Sequence, residues 1–260
     1  MNKEILNITI IQANLHWEDA TKNRKQFSEK IKSVSDKTDL IVLPEMFTTG
    51  FTMNASSLAE TENGETLQWM QEEAKTNNVA ITGSVIIKEA DTYFNRLFFV
   101  FPNGDYKKYD KRHTFTLAGE HTVYGSGNKQ VFVDYLGWKI YPLICYDLRF
   151  PVWARNTTNY DLILYVANWP KVRISAWDTL LKARAIENMS YCVGVNRVGL
   201  DGNGFEYSGH SAVYDVLGNR ISTPNFETAF SETITLSKEH IKKYRDKLQF
   251  LNDRDDFTLN

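Results

Sequence analysis

The chain predicts one α/β domain in which mixed β-sheets are covered by helices. Strand and helix patterns alternate from the first residues, and several strand pairs are joined by tight turns. No Ser/Pro/Gly linker and no internal repeat divides the 260 residues. A chain of this length can close a full core as a single domain, expected over residues 1–240 with 241–260 as a C-terminal tail.

Residues 7–14 read as a strand and 19–34 as an amphipathic helix. Residues 39–45 form a short buried strand that ends in a carboxylate. A helix over 64–77 and a strand over 79–87 follow. Residues 95–101 make the next strand, and Pro102-Asn103-Gly104-Asp105 is a turn into 106–110. Residues 112–128 lack periodicity and contain Gly119, Gly125 and Gly127, so they predict an ordered loop or lid. A strand pair over 131–135 and 139–145 turns at Leu136-Gly137-Trp138. The rest reads as helix 150–158, strand 162–167, helix 173–190, strands 191–198, 211–216, 219–222 and 228–236, and a short helix at 237–245.

Composition narrows the function. A 42% hydrophobic and 24% charged content is that of a globular protein. A net charge of −2 leaves no electrostatic footprint for nucleic acid or an anionic membrane surface. No apolar segment approaches a membrane span, and the N-terminus has no signal-like apolar run. Cys145 and Cys192 are too few for a disulfide framework and lack metal-ligand spacing, which predicts a reduced, cytoplasmic protein without a metal.

Three strand ends carry chemistry. Cys145 closes an apolar strand, and Arg149-Phe150-Pro151-Val152-Trp153 then opens a helix, with proline where a first turn tolerates it. The positive end of that helix predicts a thiolate. Glu45 ends a run too apolar to want a charge, and Lys111 ends the strand before the lid. Alone, each has an ordinary reading as a core cysteine, a loop carboxylate or a surface cation. Together, at the carboxyl ends of α/β strands where ligands collect, they make a site.

With the surrounding words, the chain resembles the nitrilase superfamily of carbon–nitrogen hydrolases. The resemblance runs from about Ile8 to about Leu236, through Leu43-Pro44-Glu45-Met46-Phe47, Asn95-Arg96-Leu97, Tyr109-Asp110-Lys111-Arg112-His113, Ile144 to Pro151, and Asn196-Arg197-Val198-Gly199. Lys111 to Phe115 followed by Glu120, Ala167-Asn168-Trp169-Pro170, and the tail from Tyr244 look like its bacterial ω-amidase branch. Thr114 and Val216-Leu217-Gly218 depart from the usual pattern, away from the expected triad.

The resemblance implies a four-layer α-β-β-α sandwich that forms a homodimer or higher even oligomer, with the tail at the interface. It implies the catalytic residues Glu45, Lys111 and Cys145, a second carboxylate at Glu120, and no cofactor. The expected substrate is a small ω-amide of a dicarboxylic or α-keto acid, such as 2-oxoglutaramate. The Tyr146 N–H is expected to help Lys111 face the oxyanion. Phe115 and Trp169 are expected to wall the pocket, and Arg173 to anchor the substrate carboxylate because an unpaired carboxylate is expensive to desolvate. Arg149 is a rival for that anchor, but four residues after Cys145 it is expected to brace the helix that follows. Trp153 and Trp177, expected on exposed helix faces, support dimerisation.

Other readings fit less well. His113 or His121 could serve a Cys–His pair, but nothing marks either as the thiol's partner. Ser208-Gly209-His210-Ser211 lacks a nucleophile elbow. Gly199 to Gly204 reads as a turn between strands. An amidase for other small amides or N-carbamoyl compounds is the alternative within the superfamily. A catalytically silent binding protein would be expected to lose part of the triad, and all three residues are present.

Overall fold

The computed structural model of the chain describes residues 2–259. In chain order the strands of the first half are β1 (Ile5–Gln12), β2 (Leu40–Val42), β3 (Ala80–Glu89), β4 (Thr92–Val100), β5 (Tyr106–Asp110) and β6 (Val133–Tyr135). Those of the second half are β7 (Trp138–Ile144), β8 (Leu162–Ala167), β9 (Tyr191–Asn196), β10 (Val198–Leu200), β11 (Glu206–Ser208), β12 (Ala212–Tyr214) and β13 (Phe230–Ser237). The helices are α1 (Ala20–Val34), α2 (Ala55–Leu58), α3 (Glu65–Asn77), α4 (Pro151–Ala154), α5 (Ile174–Asn188) and α6 (Lys238–Leu248).

Two large sheets result, ordered β13-β1-β2-β3-β4-β5 and β12-β9-β8-β7-β6, with a small β10–β11 hairpin beside them. Period-two alternation decides which side chains meet between the sheets. Leu6, Ile8 and Ile10 of β1, Leu40 and Val42 of β2, and Leu97 and Phe99 of β4 share one core with Ile140, Leu162 and Leu164 of the second sheet. Their neighbours Ile11, Ile41, Phe98 and Val100 face outward onto Phe27 and Ile31 of α1 and Leu67 and Met70 of α3. On the second sheet α5 packs so closely that a Cβ on Gly194 would lie 2.4 Å from Leu181. Helices cover both sheets, giving the α-β-β-α sandwich.

Local chemistry sets the boundaries. Asp19 caps α1 by accepting the Lys22 N–H at 3.0 Å, and Ser237 caps α6 by accepting that of His240. Asn78 closes α3 in the left-handed conformation. The expected helix over 150–158 shrinks to α4, because a 3₁₀ turn (Cys145–Arg149) takes up the chain before it. The expected strand at 219–222 is only a single bridge between Tyr214 and Arg220. The expected strand 191–198 breaks at Arg197 into β9 and β10. Trp153 and Trp177 are buried, at 6% and 0% exposure, so the exposed faces expected of them do not exist. Bulky aromatic groups on amphipathic helices were drawn into the core instead. The boundary expected at residue 240 falls inside α6, which docks through Ile241 and through Arg245 donating to Met189 O at 2.8 Å.

The segment after β5 is fixed by one close approach. Gly127 donates its N–H to Lys111 O at 2.8 Å, and a Cβ there would lie 2.1 Å from Asp110 O. Gly127→Ala is therefore expected to destabilise the fold by about 1–3 kcal/mol, read as a lower denaturant midpoint at unchanged m-value.

Candidate active site

β2, β5, β7 and β8 send their carboxyl ends to one edge of the sandwich, and the residues that follow meet there. Glu45 sits on a loop hung from β3: Leu43 N–H donates to Thr82 O at 2.8 Å, Met46 N–H to Ser84 Oγ at 2.9 Å and Phe47 N–H to Ser84 O at 3.1 Å. Lys111 follows β5, with its N–H bonded to Asn95 O at 3.0 Å. Glu120 comes from a 3₁₀ turn (Glu120–Thr122) in the lid, and its Oε2 accepts the Phe115 N–H. Cys145 begins the turn after β7 with φ +44°, a region that costs a non-glycine residue of order 1–3 kcal/mol and persists only where the surroundings impose it.

These side chains form a closed network. Lys111 Nζ lies 2.9 Å from Glu45 Oε1 and 2.9 and 3.0 Å from the two Glu120 oxygens. Asn95 Nδ2 donates to Glu45 Oε1 at 2.8 Å and reaches Glu120 Oε1 at 3.4 Å. Asn168, just beyond β8, donates its backbone N–H to Glu45 Oε2 at 2.8 Å and its Nδ2 to Glu45 O at 2.6 Å. Glu45, Lys111 and Glu120 are buried and Cys145 is partly exposed, so the thiol faces the cavity and the charged groups stand behind it.

Burial pulls the Lys111 ammonium towards the neutral form, but Glu120 and Glu45 outweigh it and hold its pKa well above the ordinary lysine range. Burial pushes the Glu120 carboxyl up, with Lys111 opposing and Glu45 adding to the rise. Burial and then the Glu45 charge push the Cys145 thiol well above its usual value, only partly offset by Lys111. The thiolate expected from a helix terminus is thus not the resting form. The segment after Cys145 is one 3₁₀ turn with little dipole, and the nearest charge is a carboxylate. The thiol needs a base, and Glu45 stands beside it.

The site opens into a cavity of about 670 Å³. Phe115 and Trp169 line it as expected, together with Trp17, Phe51 and Tyr207. Arg173 lies over the Phe115 ring at 5.2 Å and Arg149 over the Trp169 ring at 4.9 Å. Both line the cavity, and among the described residues neither forms an ion pair. Arg149, expected to brace the turn, faces the cavity instead. Tyr146 also lines it, and as the second residue of the turn its N–H has no acceptor within the turn.

The sequence reading assigned no role to Asn95 or Asn168. An asparagine inside the apolar β4 and another at the end of the wholly buried β8 were the available signals, since neither belongs in a core without a partner. His113 stacks on Phe150 at 3.7 Å and His121 is exposed, so neither pairs with the thiol. Cys192 is a buried core residue. No group of three or more His, Cys, Asp or Glu among the described residues could hold a metal ion, and no described helix is long and apolar enough to cross a membrane.

Iodoacetamide is expected to label Cys145 and spare Cys192, read by peptide mass spectrometry. The labelling rate should keep rising with pH beyond the ordinary thiol range near 8.5, because the raised pKa delays thiolate formation. Glu45→Gln removes a charge that raises that pKa, so its labelling profile should shift to lower pH even as turnover is lost. An unchanged profile would contradict the electrostatic account.

Three comparisons bear on this geometry. The family model described as carbon–nitrogen hydrolase matches residues 7–245. The omega-amidase YafV of Escherichia coli is 45% identical over 256 residues, 98% of either chain, and the 2-oxoglutaramate amidase of Bacillus subtilis is 33% identical over 81% of this chain and 83% of its own. A crystal structure of a carbon–nitrogen hydrolase superfamily protein from Xanthomonas campestris, with an arsenic adduct in its active site, superposes with a TM-score of 0.97 at 39% identity over 99% and 100% of the two chains. A family match that spans nearly the whole chain, over this fold and this edge of strand ends, makes the chain a member of the carbon–nitrogen hydrolase family.

Proposed function

We propose that this enzyme hydrolyses the terminal amide of small ω-amides of dicarboxylic or α-keto acids, 2-oxoglutaramate among them, through a cysteine thioester. One observation carries the reading: a buried Glu45–Lys111–Glu120 network lies behind Cys145 in a cavity that also presents two unpaired guanidinium groups. The first half is amide-cleaving machinery, and the second suits a substrate whose far end is anionic. The activities named for the Escherichia coli and Bacillus subtilis relatives support the same substrate class.

The chemistry follows from the atoms. Cys145 Sγ attacks the amide carbon as its proton passes to Glu45. Charge develops on the carbonyl oxygen, where Lys111 Nζ and the Tyr146 N–H would stabilise it, and removing one such donor typically costs ~10²–10³ in rate. Collapse breaks the C–N bond, and Glu45 returns the proton to the departing ammonia. Glu45 then takes a proton from water, whose hydroxyl displaces the Cys145 thiolate from the thioester and leaves a carboxylic acid, and Glu45 returns the proton to Sγ. Glu120 holds Lys111 in place throughout. Arg173, with Arg149 beside it, would bind the remote carboxylate, and Phe115 and Trp169 would exclude water around it.

Ammonia release from 2-oxoglutaramate, succinamate, glutamine, N-carbamoyl amino acids and a simple nitrile tests the reading. The first two should turn over best, Cys145→Ala should abolish turnover, and Arg173→Ala should raise KM for anionic amides more than for neutral ones. Turnover of N-carbamoyl compounds alone would replace the substrate assignment, and no turnover of any amide would favour a binding protein.

We further propose that the chain works in the cytoplasm as a homodimer or higher even oligomer. With both tryptophans buried, support comes from exposed Val152 on α4, Ile186 on α5 and Leu217 near Ile186, apolar groups that gain from being covered. Residues after Tyr244, including exposed Phe250, would extend that surface. Light scattering is expected to give a mass near twice the 30.0 kDa of one chain, or a higher even multiple. A monomer at micromolar concentration would overturn this.

A further inference from the structure

The turn that carries the nucleophile holds another carboxylate, Asp147, which the reaction above does not use. It is fully buried, and among the described residues no lysine or arginine pairs with it. Four donors satisfy it instead. Oδ2 accepts the Ile144 N–H at 3.1 Å and the Tyr109 hydroxyl at 2.8 Å. Oδ1 accepts the His113 N–H at 2.9 Å and lies 2.8 Å from His113 Nδ1, which carries a proton because a carboxylate can only accept.

The placement of these donors is the informative point. Ile144 immediately precedes Cys145, while Tyr109 and His113 stand two residues on either side of Lys111. One buried carboxylate therefore ties the chain carrying the nucleophile to the chain carrying the ammonium. A second layer reinforces it: Tyr109 Oη accepts from Arg112 N–H and from Trp153 Nε1, both at 3.2 Å. Rings from the two segments also interleave, His113 stacked on Phe150 at 3.7 Å and Phe115 against Tyr146 at 4.9 Å. The strained φ at Cys145 requires some such restraint.

We propose that Asp147 is a positioning residue that locks Cys145 and Lys111 in reacting register. Asparagine cannot replace it. An amide NH₂ at either oxygen position would face a backbone N–H, from Ile144 or from His113, that cannot reverse its role. The register would then relax at one segment or the other, and a displacement of about 1 Å between reacting groups can cost ~10²-fold in rate.

The inference rests on the thioester reading, and the experiment separates the two. Asp147→Asn, Tyr109→Phe and their combination are compared with the wild type for kcat and KM on 2-oxoglutaramate and for iodoacetamide labelling of each cysteine. Asp147→Asn should lower kcat by about 100-fold with KM nearly unchanged, as loss of alignment predicts. Labelling of Cys145 should slow, because Lys111 no longer offsets the thiol's raised pKa, and Cys192 should stay unlabelled. Tyr109→Phe should lower kcat by a smaller factor and add nothing to Asp147→Asn, and it supplies the test if the Asn variant does not fold. A merely structural role would loosen the fold and speed labelling of both cysteines; that result, or kcat within about twofold of wild type in either variant, would overturn the proposal. Full turnover by Cys145→Ala would instead overturn the thioester reading itself.

Discussion

The arrangement depends on one buried ammonium. Lys111 carries its charge in a place with almost no water, and an isolated charge there would cost several kcal/mol or more. Two carboxylates compensate it, and they in turn need partners. Glu45 takes Asn95 and the Asn168 backbone, and Glu120 takes the Phe115 N–H. Each partner comes from a different element, so satisfying one charge fixes β4, the end of β8 and the lid relative to β2 and β5. The first and second sheets are joined at this point by polar bonds as well as by the apolar core between them.

Burial and this network together set the state of the thiol. Burial favours a protonated Cys145 first, and the Glu45 charge adds to it, with Lys111 opposing. The enzyme therefore does not store a reactive thiolate. In the proposed reaction, Cys145 and its proton acceptor Glu45 stand together, and Lys111 would meet the charge that develops on the substrate oxygen. Under the proposed function a neutral resting thiol would also suit the substrate, since a thiolate would repel its carboxylate before it bound.

The cavity divides its labour by depth. Cys145 and Lys111 line it where the buried carboxylates stand behind them, and electrostatic effects are strong there. Its walls are aromatic rings, with the Arg149 and Arg173 guanidinium carbons 4.9 and 5.2 Å from the Trp169 and Phe115 centroids, and a cation–π contact of this kind leaves N–H groups for a ligand.

Much of this was legible in residue order. Apolar, β-prone runs marked the strands, and Glu45, Lys111 and Cys145 stood out as chemical groups at three strand ends. What sequence could not settle was how distant segments meet. The states of the thiol and of the tryptophans on α4 and α5 depend on what packs around them, and local pattern misjudged both. Asn95, Asn168 and Asp147 matter through partners as many as 123 positions away, as between Asn168 and Glu45. Arg149 turned to the cavity because a 3₁₀ turn, rather than a helix, follows Cys145. Sequence by itself determined the chemical groups and the strands that carry them, since both follow from local composition and periodicity. Only the tertiary structure decided their charge states and facing, because burial and electrostatics are properties of the surroundings.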